Sequence, residues 1–190
     1  VVMPEGGEVV VTAFLFLLFI FSVCLVAGGM VFMLAAEWRG LRGFDPRWDE
    51  VARRISGIAL FLGAVVAGLL GVGLGIAQIL FYPRQTEHLL TIFFPLLIGG
   101  WASYVAGMVF LTVYHFGWSR GRGRRKWHAT IGIFAVLCVW AAASVLVSLQ
   151  SFTLTTGAWP DSGALRSAFY NPSAVPSFFY WAGFSLTVAG

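Results

Sequence analysis

Three histidines, His88, His115 and His128, are the side chains in this chain best suited to ligation or proton transfer, and each falls near the end of an apolar stretch. His115 and His128 flank one short basic segment, at similar depth on stretches that the short connection makes neighbours. Two facing imidazoles can hold a b-type haem, because neutral imidazole is its common axial ligand. The same pair, set among Tyr114, Trp118 and Trp127, equally suits the aromatic belt at a membrane boundary. His88, beside Glu87 and Arg84, belongs to the opposite end, where it would ligate a haem or contact a quinol head group. Quinol oxidation asks for a histidine or carboxylate to take the proton and an apolar cleft for the tail. Gln78, Tyr82, Gln150 and Ser151 share that boundary. His88, His115 and His128 are therefore the candidate cofactor-binding residues, with haem b or a quinone as cofactor; no catalytic residue and no metal site is expected.

Other chemistries lack their parts. Cys24 and Cys138 lie in separate stretches and form no CxxC or CxxCH motif, which argues against covalent c-type haem and cysteine-held iron–sulfur clusters. There is no zincin signature, P-loop or Gly-rich dinucleotide motif, and no Ser–His–Asp set on one side. A proton pump or ion channel would need buried Asp, Glu or Lys relays, and none is expected near mid-depth.

The elements that must position these residues are apolar helices. With 59% hydrophobic and 11% charged residues, the chain departs from soluble domains, where charged residues approach about a quarter. Residues 9–37, 55–82, 88–118 and 127–152 each reach the roughly 20 residues needed to cross about 30 Å of hydrocarbon. Residues 175–190 look like the first part of a fifth span. The first span is too long, and too poor in preceding positive charge, to read as a cleaved signal. The expected fold is an all-α integral membrane protein, a bundle of four to five transmembrane helices in one domain over residues 1–190.

Charge sets the expected orientation. The 39–54 segment carries Arg39, Arg42, Arg47, Arg53 and Arg54, and the 119–126 segment carries Arg120, Arg122, Arg124, Arg125 and Lys126. The opposite connections hold Arg84 and Arg166 alone. Counting positive residues places the rich segments in the cytoplasm and the N-terminus outside, in an inner (plasma) membrane. The net charge of +4 is explained by these segments and does not suggest nucleic-acid binding. Within the 153–172 segment, residues 162–170 would form a short interfacial helix broken by Pro160, Asn171 and Pro172.

Two patterns bear on packing. Val26 to Phe32 (VAGGMVF) is echoed by Val105 to Phe110 (VAGMVF), which suggests a helix-pair repeat. Gly71 with Gly75, and Gly99 with Ser103 and Gly107, are spaced to share helix faces and admit close approach. Such faces serve helix packing, or offer a smooth surface to a flat cofactor or lipid tail.

Four landmarks then occur in order: Pro95 to Gly100 (PLLIGG), Phe116 to Arg120 (FGWSR), Val147 to Thr156 (VSLQSFTLTT) and Asn171 to Ala174 (NPSA). Over most of its length the chain resembles the N-terminal half of the haem-bearing subunit I of cytochrome bd quinol oxidases. That family has a proline-led start to its third helix, an FGWDR-type exit and an NP before its fifth helix. The resemblance implies a bd-like bundle and a role in electron transport. It also marks departures. The first span has no counterpart of the family's haem-ligating histidine. Gly99 and Gly107 stand where its helix 3 carries glutamates, and Tyr180, read as a packing residue, stands where its fifth helix carries a haem histidine. The resemblance thus implies a membrane-anchoring, non-catalytic subunit of a respiratory complex that contributes to a quinol or haem site, with a purely structural scaffold as the alternative. Expected partners are other membrane subunits, a cytochrome or iron–sulfur redox subunit, and lipids.

Overall fold

A backbone in hydrocarbon must satisfy its own hydrogen bonds, and helices do so within one segment. The computed structural model describes residues 6–43, 46–118 and 125–190, and among them every element is helical. Four helices are long and apolar enough to cross a membrane: α1 (Gly7–Gly43), α2 (Pro46–Phe81), α3 (Pro83–Gly117) and α4 (Arg125–Leu154). The short helices α5 (Trp159–Ser162) and α6 (Leu165–Phe169) follow, and then the apolar helix α7 (Ala174–Ala189). The chain is a multi-pass integral membrane protein.

The helices outrun the expected spans at the end that carries the arginine-rich segments, here called the basic end. The 39–54 segment, expected as a loop, is helical on both sides of residues 44–45, which lie outside the described residues. Side chains one turn apart support that extension: Arg42 lies over the Trp38 ring, and Arg54 donates to Glu50 at 2.8 Å. At the opposite end the expected 162–170 helix is shorter, Leu165–Phe169, and Gly163, with φ +60, separates it from α5. Pro95 does not lead α3 but sits inside it, as membrane helices tolerate.

α1 is the hub. It packs against α2, α4 and α7, while α3 pairs with α4 along its length and meets α2 mainly through residues 46–61, touching residues 68–81 only lightly. The core is built of small and flexible residues, among them Ala27, Met30, Met33, Ala59, Ala135 and Ala143, with Leu111 and Tyr114 buried among them. Large apolar side chains such as Leu17, Leu69 and Phe179 point outward, as suits a lipid-facing surface.

Two helix crossings, α1 with α7 and α3 with α4, depend on glycine. A Cβ on Gly28 would stand 2.1 Å from the Ser185 carbonyl oxygen of α7, and one on Gly107 would stand 2.8 Å from Val139 Cγ2 of α4. A Cβ on Gly100 would meet Val145 at 3.2 Å. The close-approach face of α3 therefore runs through Gly100 and Gly107. Gly99 and Gly75, expected on packing faces, meet nothing within 4 Å. Gly28 and Gly107 each lie within one of the echoed segments, and both sit at crossings.

Within α2, residues Leu62–Ala67 form a π-helical turn. The Tyr104 hydroxyl of α3 donates to the Gly63 carbonyl there at 2.5 Å. Such turns loosen the regular ladder and tend to occur at functional sites.

Candidate functional site

Glu37 is the residue that the sequence reading passed over. It follows Met30 and Met33 on the core-facing stripe of α1, so the helix register carries its carboxylate inward. It is 4% exposed. His128, in the first turn of α4, places Nδ1 2.7 Å from Glu37 Oε1, and the fully buried Tyr114 of α3 donates its hydroxyl to Oε2 at 3.1 Å. His128 Nε2 lies 2.9 Å from the Tyr114 carbonyl oxygen. That carbonyl belongs to the last turn of α3.

Donor logic fixes the protons. A carbonyl only accepts, so His128 carries hydrogen on Nε2 and donates it to Tyr114 O. One proton is then held between Glu37 and His128 Nδ1, either as carboxylic acid with neutral imidazole or as carboxylate with imidazolium. The pair is neutral in sum either way, which is how two ionisable groups remain in a buried place. The indoles and rings around it complete the enclosure: Tyr114 lies 4.1 Å and Trp118 4.5 Å from the His128 ring, centroid to centroid. The Trp118 indole nitrogen is buried and finds no partner among the described residues.

His115 addresses a different helix. Its Nδ1 lies 2.8 Å from the Ser56 hydroxyl of α2, and that hydroxyl lies 2.7 Å from the Arg53 carbonyl. Ser56 has one hydrogen, which goes to the carbonyl, so His115 carries its own on Nδ1 and keeps a lone pair on Nε2. His115 thus donates from Nδ1 to Ser56 and His128 from Nε2 to the Tyr114 carbonyl, with separate partners.

No family model, no curated protein and no solved structure matches this chain.

The residues at the basic end do not fit a haem held between His115 and His128. Both nitrogens of His128 are committed, and ligation would strip either the Glu37 carboxylate or the α3 carbonyl of its partner. The positions singled out by the bd resemblance are closed or outward. The space beside Gly107 is taken by Val139 and Cys138, Gly99 opens outward, and Tyr180, expected to pack, is 78% exposed on α7. Cys24 and Cys138 are free thiols on separate helices. Among the described residues no three His, Cys, Asp or Glu side chains are grouped to hold a metal ion.

At the opposite end His88 is exposed near the start of α3, with Gln78, Tyr82 and Gln150 only partly covered or exposed. Ser151 instead joins a buried network. The Asn171 amide donates to Ser151 Oγ and Ala168 O at 3.0 Å each, and Ser148 donates to the Phe169 carbonyl. Asn171, noted in the sequence as a helix breaker and as part of a landmark, fastens the entry to α7 onto the end of α4.

Proposed function

We propose that the chain is a membrane-anchoring scaffold subunit of a respiratory electron-transfer assembly related to the cytochrome bd quinol oxidases, and that its basic-end histidines join helices instead of carrying haem. The observation that carries this reading is His128, whose two ring nitrogens tie α1 and α3 to α4. His115 likewise ties α3 to α2 through Ser56. The respiratory setting is supported by the four ordered landmarks, and the non-catalytic role by Gly99 and Gly107 standing where the family carries glutamates. A cytochrome or iron–sulfur subunit would supply the redox centres and dock on this anchor. The arginine-rich end would face the cytoplasm, with the N-terminus outside and the chain in the inner (plasma) membrane.

The test is a visible spectrum of the purified chain and of its assembly, with His88, His115 and His128 each replaced by alanine. The chain alone should show no b-type band, and none of the three variants should remove a band from the assembly. A band lost in His128→Ala, with the bundle still folded, would overturn the proposal.

A further inference from the structure

Residues 68–81 of α2 touch α3 only lightly, and between them lies a cavity of about 420 Å³ that none of the described residues fills. Val23 of α1, Gly68 and Val72 of α2, Trp101 and Tyr104 of α3, and Ala143 of α4 line it. All six fall near the middle of their spans, so the cavity lies at mid-depth in the bilayer. The π-turn shapes one wall, which is floored by Gly63, Ala67 and Gly68. Val72 and Trp101, exposed at 64% and 70%, stand at its mouth.

The lining restricts the occupant. Its walls are almost wholly carbon, and the Tyr104 hydroxyl is already spent on the Gly63 carbonyl. Tyr104 keeps only acceptor capacity and the Trp101 indole stands at the mouth, so no lining side chain inside the cavity donates to a polar ring or head group. Apolar cavities stay dry, and an unfilled one forfeits dispersion contacts around its whole lining. A partner helix fits poorly, because at about 10 Å across it would place roughly one turn in this volume. A single hydrocarbon chain enters through a narrower mouth, and the surrounding medium supplies such chains.

We propose that this cavity is a binding site for one acyl chain of a membrane phospholipid, inserted between α2 and α3 past Val72 and Trp101. The chain completes the packing that α2 and α3 do not make with each other. Its head group stays with the other lipids at the surface.

The experiment reconstitutes the full chain in phosphatidylethanolamine–phosphatidylglycerol vesicles containing a phospholipid with a diazirine at the end of one acyl chain. Photolysis and peptide mapping should concentrate label on residues 63–72 and on Tyr104. Gly68→Leu should abolish that label. Its Cβ would start 3.8 Å from the Gly63 oxygen, an ordinary contact, so the new side chain enters the cavity without displacing backbone. Val72→Trp closes the mouth from an exposed position and should have the same effect should Gly68→Leu fail to fold. Label spread evenly over outward residues such as Leu17 and Phe179, and unchanged in the folded variants, would overturn the proposal. So would displacement of the label by an isoprenoid quinone but not by unlabelled phospholipid.

Discussion

Replacing Glu37 by alanine should be among the most damaging single changes in the bundle, although it removes a charge from a membrane helix. The substitution leaves the Tyr114 hydroxyl and His128 Nδ1 buried without partners. Each orphaned group costs about 1–3 kcal/mol, so the loss should reach about 2–6 kcal/mol. Glu37→Gln provides the control. Its carbonyl accepts from Tyr114 and its amide donates to His128 Nδ1, whose lone pair is available because Nε2 holds the hydrogen. That variant should lose less than about 1.5 kcal/mol, the scale of one ordinary hydrogen bond. Reversible unfolding by dodecyl sulfate in mixed micelles measures both, with tryptophan fluorescence as the signal, since Trp118 lies against the His128 ring. A Glu37→Ala variant within about 0.5 kcal/mol of the parent, the range of an indifferent surface change, would refute the argument. Equal damage from glutamine and alanine would refute the proton assignment.

The proton assignments also have a direct readout. Nitrogen-15 NMR of labelled histidines should show His115 as the Nδ1–H form and His128 with its hydrogen on Nε2, and matching tautomers would contradict the donor logic. Gly28→Ala should loosen α7 by more than the roughly 1–3 kcal/mol of ordinary overpacking, because its Cβ meets backbone. Gly107→Ala, which meets a side chain, should stay within that range, and Gly99→Ala should be neutral in the same unfolding assay. Asn171→Ala should cost about 1–3 kcal/mol by leaving the carbonyl of Ala168 and its neighbours unpaired. Faster proteolysis of the 153–173 segment in intact vesicles is the measurement that checks it.

The spans were legible because hydropathy over some 20 residues is a coarse quantity that few alternatives satisfy. The cluster was harder to read, for reasons that individual residues make plain. Glu37 closes an apolar run beside Trp38 and Arg39, and by composition alone it belongs to the charged boundary. Only its register with Met30 and Met33 marks it as inward, a signal visible in the sequence once the stripe is followed to its end. Pairing His115 with His128 rested on similar depth, but depth does not fix azimuth. Adjacent side chains on a helix point about 100° apart, so Tyr114 faces α1 and α4 while its neighbour His115 faces α2. The same limit explains the glycines: Gly99 and Gly100 differ by one residue, and only the second meets a neighbouring helix. The π-turn left no composition signal in its sequence of Leu, Gly, Ala and Val.

That turn gives α2 a property none of the other long helices shares. It works as a phase shifter, setting the azimuth of residues 68–81 relative to residues 46–61. Winding residues 62–67 as regular α-helix with no change in length would rotate one half against the other by about 100°, the angle of one helical residue. Ser56 would keep its place beside His115, but Gly71 would turn away from Phe19 of α1, whose ring stands 3.1 Å from where a Cβ would be. The membrane would still accept the helix, since every face of residues 68–81 is apolar or small apart from Gln78. Loss of the turn at constant length would thus leave insertion normal and assembly wrong, so that insertion into the bilayer and correct assembly of the bundle are separable in this helix.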